Sequence, residues 1–409
     1  MRNRAVEFIL YKFYRPVNKT GELNMKKLVV VKHGYEPWKM AYDAIKSVFV
    51  DEAKGKRILL KPNAGRKGEA NTALCTGSEV VRGVIRFFKD QGAGEILVGD
   101  GALWGVNVWE ALETSGIADV CREEKVTLVN LDEAKPLVKE IPDGKIVNSL
   151  KFSSLPFEVD MVVSLPVIKT HMYATATLSI KNMKGCLYKL EKTILHRVNK
   201  PSPDASKGRC LDWGVADMCS VLLPDYAVLD GTHCMEGFGP SVGDPIELNL
   251  VVASKDPTAA DYTAIDLMGF APDSVQHVNL VHERCNTAGY NDRVVDPPDY
   301  MKYGKKFKTA EMSRLTNEYP NITLCEKGAC SACSATTMMF IKAHGKKFDP
   351  EYHFKLVAGK DLTEEDMAGE NTFLVGNCTA KNANGRPYCV GCPPIGSTIL
   401  AFMKGEKYE

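Results

Sequence analysis

The chain has 409 residues, 44% of them hydrophobic and 25% charged, which is the make-up of a folded globular protein too long for one ordinary core. Its 52 basic residues against 51 acidic ones leave a net charge of +1, which argues against a general nucleic-acid or membrane-surface binder and requires any cationic site to be local. No segment approaches the roughly 18 consecutive apolar residues of a membrane span, and thirteen unevenly spaced cysteines are unlike a secreted disulfide framework and point to a reducing cytoplasm.

Residues 1–25 are basic and aromatic, with a short apolar patch and no small-residue cleavage site, so they are expected to be an extension without a signal function. From there strand and helix patterns alternate: strand Leu28–Lys32, a helix around Lys39–Val50, strand Arg57–Lys61, helix Ser78–Asp90 and strand Glu95–Val98. That rhythm predicts an α/β fold over residues 26–290, a mostly parallel sheet with flanking helices, followed by a smaller C-terminal cysteine-rich portion. A helix near Val108–Glu113, a strand Val126–Asn130 and a hairpin at Asp143-Gly144, between Leu137–Ile141 and Lys145–Ser149, continue the pattern.

The chemistry concentrates between Ser164 and His196. An apolar run, Met161–Leu165, reads as a buried strand, so Lys169 and His171 are expected just past a strand end, where open α/β sheets carry ligands. A second alternating run, Thr175–Ile180, is expected to deliver Lys181, Asn182 and Lys184 to another strand end, with Gly185 allowing a turn and His196 following. Lys61 and Asn63, and Asp100, also follow strands and are expected at the same edge. Lysines that follow apolar strands need a partner or a task, and this set suits an anionic small molecule, with a histidine as the acid or base. The alternative is that they are ordinary solvated loop residues.

Further on, Leu211–Leu223 reads as a helix and Ala227–Leu229 as a strand ending at Asp230-Gly231. A glycine-rich loop over residues 232–243 leads to strand Leu248–Ser254, and Asp256-Pro257 opens a helix holding Asp261. The glycines of that loop do not form a dinucleotide fingerprint. Asp230, Glu236, Asp256 and Asp261 are candidate partners of the lysines or ligands of a hard cation, each with a turn or cap as its alternative. Residues 291–320 read as a linker or surface arm.

Six cysteines crowd the last portion, residues 321–409, as Cys325-x4-Cys330-x2-Cys333 and Cys378-x10-Cys389-x2-Cys392. Close thiolates on loops suit an iron–sulfur cluster, most simply one 4Fe-4S centre, with Cys330, Cys333, Cys389 and Cys392 the favoured four. Structural zinc on four thiolates is the alternative.

Taken together, Lys61-Pro62-Asn63, Gly99-Asp100, Lys169-Thr170-His171, Lys181-Asn182-Met183-Lys184-Gly185, His196, Asp230-Gly231 and the Met235 to Pro240 block resemble the domain of unknown function 362 family, in order over roughly Lys27 to Ala271. That family is frequently joined to ferredoxin modules, so the resemblance implies an iron–sulfur association; it implies no established activity. The ferredoxin run C-x2-C-x2-C-x3-C is absent from this sequence. The K-x2-K-G and later histidine are also similar, over fewer residues, to lactate racemase-like proteins that hold a nickel cofactor. The expected function is a redox or cluster-dependent enzyme acting on an anionic small molecule; alternatives are an electron-transfer module serving a redox partner protein and a zinc-stabilised binding protein.

Overall fold

β1 (Lys27–His33), β2 (Arg57–Pro62), β3 (Glu95–Asp100) and β4 (Thr127–Asn130) are the first strands of the computed structural model, which describes residues 26–406 apart from 104, 199, 311–314 and 316. The extension expected over residues 1–25 lies outside the described residues. Ile58 to Lys61 and Ile96 to Asp100 are buried on both faces, as the continuous apolar runs of a helix-covered parallel sheet should be. Helix Ser78–Asp90 covers one face with Val80, Val81, Val84, Ile85, Phe87 and Phe88, a stripe at helical spacing. Emptying a place such as that of Phe88, fully enclosed beside Phe49 and Phe87, costs about 3–5 kcal/mol.

β5 (Pro136–Glu140) and β6 (Ser149–Ser153) form a separate antiparallel ribbon. Its connection is wider than a tight Asp143-Gly144 hairpin because the buried Asp217 carboxylate accepts hydrogen bonds from the N–H groups of Lys145, Ile146 and Val147.

β7 (Met161–Leu165), β8 (Val167–His171), β9 (Thr175–Thr177), β10 (Tyr226–Glu236), β11 (Asp244–Ser254) and β12 (Arg293–Asp296) complete a ten-stranded sheet. Its order is β12-β1-β11-β10-β7-β2-β3-β4, with β8 beside β10 and β9 beside β8. Every pairing is parallel except those of β11 and β9, so the mostly parallel sheet read from the sequence is present. Two details differ. Residues 232–236 of the stretch expected to be a glycine-rich loop are the far end of β10, paired with β11, and residues 293–296, read as linker, are an edge strand beside β1. The partner of the edge strand is remote in sequence, so local pattern alone could not have found that pairing.

A second sheet follows: β13 (Ile322–Cys325), β14 (Phe354–Ala358), β15 (Thr372–Val375) and β16 (Tyr388–Cys389), in that order and all parallel. Helix Ser331–His344 connects its first two strands, and helix Gly396–Met403 follows the last. Phe238, from the turn after β10, and Met172, from the turn after β8, pack into the apolar core of this sheet and join it to the first.

Candidate functional site

At the carboxyl edge of the first sheet, Lys61 and Asp100 meet as the sequence led us to expect. Lys61 Nζ stands 2.6 Å from Asp100 Oδ1, and both side chains are fully enclosed. The ammonium also donates to the Pro62 carbonyl at 2.9 Å and to Asn182 Oδ1 at 3.0 Å. Asn182 in turn donates to the Lys61 carbonyl and to Ser164 Oγ, each at 3.0 Å, and receives a longer bond from Asn63 Nδ2. Asp100 is saturated by the N–H groups of Ala64 and Gly101, both at 2.8 Å. Lys61, Asp100 and Asn182 therefore spend their hydrogen-bonding capacity on one another, and the network holds the edge together. Gly185 belongs to it by having no side chain: a Cβ there would collide with the Asp100 carboxylate and lie 2.7 Å from Lys61 Nζ.

Lys181 and Lys184 reach the site by a different route from the one expected. β9 ends at Thr177, and Ser179–Asn182 is a helical turn continued by a 3-10 turn, Met183–Cys186. The reason is Asp261, on helix Pro257–Leu267, whose carboxylate accepts from Ser179 N at 2.8 Å and Ile180 N at 3.1 Å. That satisfies the first N–H groups of a helix, so the chain coils where its alternation alone would extend it. Asp256 begins Asp261's own helix by accepting from Ala259 N, with Pro257 in the first turn.

Lys169, Lys181 and Lys184 are 4%, 7% and 8% exposed, and none has a carboxylate in ion-pair contact among the described residues. Lys169 lies within β8, donating to the Leu74 carbonyl at 3.0 Å. Burial pushes its ammonium down to about 8, with Arg66 and Lys61 adding repulsion against Cys75 and Asp100. Burial also brings Lys181 down to about 7, with Lys169 adding to it and Asp212 opposing, and holds Lys184 well below the lysine range, with Lys181, Arg66 and Lys192 adding to it. Lys192, a sixth cation absent from the sequence reading, is paired with Asp132. Arg66 was also missed. Its signal was the Gly65-Arg66-Lys67-Gly68 loop directly after Lys61-Pro62-Asn63.

His171 and His196 stack, ring centroids 5.8 Å apart and 15° from parallel. Nδ1 of His171 accepts from the N–H groups of Tyr173 and Ala174, so the proton of the neutral ring sits on Nε2. His196, at the end of helix Glu191–Arg197, has Nδ1 3.3 Å from Ser331 Oγ, and that hydroxyl donates to the His196 carbonyl. Ser331 Oγ is then an acceptor for Nδ1–H, which leaves Nε2 of His196 a bare lone pair. Burial, with Lys181 and Lys184 nearby, holds both rings well below the ordinary imidazole value. The pair offers one donor and one acceptor.

Asp230 and Glu236 are engaged by other partners than the lysines of this site. Asp230 accepts from Gly77 N at 2.7 Å and from Thr232, fastening the start of helix Ser78–Asp90 to β10. Glu236 takes Lys308 Nζ at 2.9 Å and Lys308 N at 2.8 Å.

The late cysteines divide. Cys330 and Cys333 lie at the start of helix Ser331–His344, Cys378 just past β15 and Cys392 just past β16, all at the carboxyl edge of the second sheet. Asn377 and Gly391 bind each other through Asn377 N–H and Asn377 Oδ1, which ties the loops of Cys378 and Cys392 together. Cys330 is held below the ordinary thiol range by the Cys333 thiol and by backbone N–H groups, while Cys333 is held above it by the same contact, by burial and by Cys392 and Cys378. Cys389 is instead fully buried in the core, and Cys325 points to Asp366. Among the described residues no three His, Cys, Asp or Glu side chains converge closely enough to hold a metal ion. The four edge cysteines have the donor chemistry and number for a cluster without being drawn onto a common centre.

A family model described as Domain of unknown function (DUF362) matches residues 58–266. The chain belongs to that family. The DUF362 match contains Lys61, Asp100, the three unpaired lysines, both histidines and Asp261, and ends before the second sheet. A thylakoid-associated protein of Synechocystis is 28% identical over 222 residues, 54% of this chain and 65% of that protein, so the DUF362 chain spans less than two thirds of the relative. Among solved structures, the lactate racemase apoprotein of Thermoanaerobacterium thermosaccharolyticum aligns with a TM-score of 0.41 at 12% identity, over 61% of this chain and 58% of that one. No helix among the described residues is long and apolar enough to cross a membrane.

Proposed function

We propose that this DUF362 protein binds an anionic small molecule at Lys169, Lys181 and Lys184 and transfers a proton on it through His171 and His196. The observation that carries the reading is the set of three enclosed lysines without a carboxylate partner, beside two stacked neutral histidines. Lysine charge is unfavourable in such a place until an anion arrives, so binding and charging are one event. His196, with a bare Nε2, is the group to take a proton, and His171, with Nε2–H, the group to give one. Lys61, Asn63, Asp100 and Asn182 shape the floor. Asp230 and Glu236 anchor neighbouring elements. The test is a thermal-shift screen of anionic metabolites, repeated with Lys169→Met and Lys184→Met; ligand-induced stabilisation that persists in both variants ends the reading.

A second reading concerns the cysteine edge. Cys330, Cys333, Cys378 and Cys392, on three neighbouring loops at strand ends, support an iron–sulfur cluster, with Cys378 in the place first given to Cys389. A cluster would supply redox or cluster-dependent chemistry to the enzyme, or electron transfer to a partner protein; structural zinc would supply neither. Iron, sulfide and zinc analysis after anaerobic purification separates these. Thirteen cysteines without the spacing of a secreted disulfide framework suit a reducing compartment such as the cytoplasm.

A further inference from the structure

The lysines sit among more positive charge than one carboxylate ligand can balance. Six basic side chains gather at this edge: Lys61, Arg66, Lys169, Lys181, Lys184 and Lys192. Asp100 and Asp132 neutralise Lys61 and Lys192. Asp212 is the one carboxylate whose charge favours the ammonium of Lys181, and it also lies 3.5 Å from His277.

Arg66 differs from the lysines because a guanidinium cannot discharge by losing its proton at any ordinary pH. It is half-buried, and among the described residues its side chain makes a single weak bond, 3.8 Å, to the sulfur of Met339 on helix Ser331–His344. Its loop is fastened against the lysines from both sides. Residue 64 is bonded to Asp100, and a Cβ on Gly65 would stand 3.9 Å from Asp100 Oδ2. Cys75 Sγ donates to the Arg66 carbonyl, and the neighbouring Leu74 carbonyl receives Lys169 Nζ. Arg66 is also among the charges that depress Lys169 and Lys184.

Resting on the reading above, we propose that the ligand carries a phosphoryl or diphosphoryl group and that Arg66 is the fourth cation that binds it. A phosphoryl group concentrates about two negative charges on three acceptor oxygens, enough to meet several converging cations at once, and a guanidinium meets it with two parallel N–H donors. A monocarboxylate would leave at least two of these cations unbalanced in an enclosed place.

The experiment measures affinities of the full chain for pyrophosphate, inorganic phosphate, malonate and acetate at pH 7. The expected order is pyrophosphate tightest, then phosphate, with malonate and acetate at least about tenfold weaker than pyrophosphate. Arg66→Met should weaken pyrophosphate by roughly 10- to 100-fold, the loss of a charged hydrogen-bonded contact, and acetate far less, while Arg66→Lys recovers part of the difference. Malonate or acetate binding as tightly as pyrophosphate overturns the proposal without touching the anion site, and so does pyrophosphate binding unchanged in Arg66→Met. If no anion binds, or if all bind equally well to Lys169→Met, the anion site itself is refuted. The wild-type order is decisive even if Arg66→Met fails to fold.

Discussion

Asp261 holds Ser179 by a 2.8 Å hydrogen bond from the Ser179 N–H to its carboxylate, across 82 residues of chain. The short helix that presents Lys181 and Lys184 begins because of that contact. Asp261→Ala should cost about 1–3 kcal/mol of stability and weaken anion binding, though Asp261 touches no ligand. Asp261→Asn should keep more of both. A denaturant titration of each variant, with and without pyrophosphate, checks this.

The same carboxyl gives a pH signature. Burial raises Asp261 to about 7, above the ordinary carboxylate value, so the folded state holds this proton more tightly than the unfolded chain. Its stabilising contribution is complete below the unfolded pKa near 4 and is lost as pH rises to about 7. Asp261→Asn should therefore show a shallower loss of stability across that window than wild type. Parallel curves would show that the carboxyl does not titrate as its burial dictates.

For the lysines the sign is opposite. Lys169 and Lys181 are depressed to about 8 and about 7, so the unfolded chain binds more protons than the folded one from there up to the ordinary lysine range. The ligand-free protein should gain stability as pH rises from about 7 to 10, and anion affinity should fall over the same interval because binding needs the charged form. Arg66, Lys61, Cys75 and Asp100 face Lys169, while Lys169 and Asp212 face Lys181; none of the carboxylates is close enough to restore an ordinary value. Calorimetry in buffers of different ionisation enthalpy at pH 8 should report proton uptake on pyrophosphate binding. No uptake means the lysines are already charged.

Lys61→Met should fail differently from Lys169→Met. It strands the buried Asp100 carboxylate, a loss of about 3–5 kcal/mol, whereas Lys169→Met removes a charge that burial opposes and should leave stability unchanged or raised. The double variant Lys61→Met/Asp100→Asn should recover part of the loss. Thermal denaturation of the three proteins distinguishes a structural lysine from a ligand-binding one.

On the cysteine reading, Cys378→Ser should abolish bound iron and Cys325→Ser should leave it, by metal analysis of anaerobically prepared protein. Cys389→Ser places a hydroxyl in a fully buried apolar site and should destabilise the fold whether or not metal is bound.

What the sequence disclosed follows from the range of the forces involved. Strands such as Ile58–Leu60 and Met161–Leu165 declare themselves by composition, and the carboxyl edge that gathers Lys61, Asp100 and Lys169 follows from alternation of strand and helix. The coil at Ser179 could not be read, because its cause is a carboxylate far downstream. The bonds of Asp230 to Gly77 and of Glu236 to Lys308 could not be read either, since an acid that anchors a turn and one that meets a ligand look alike in sequence. Arg66 was hidden in an ordinary basic loop. Its neighbours, which make it unusual, come from three other elements.

The contact between His196 and Ser331 reaches from inside the DUF362 match to a sheet beyond it. The imidazole owes its low proton affinity partly to what covers it, and part of that cover is the helix whose first turn bears Cys330 and Cys333. Were that helix withdrawn, His196 would meet water and lose part of the burial that holds its proton affinity down, with Lys184 and Lys181 still opposing its charge. The basicity of a residue inside the family domain thus depends in part on an element outside it, and that element is one hydrogen bond from the imidazole and carries the cysteine edge.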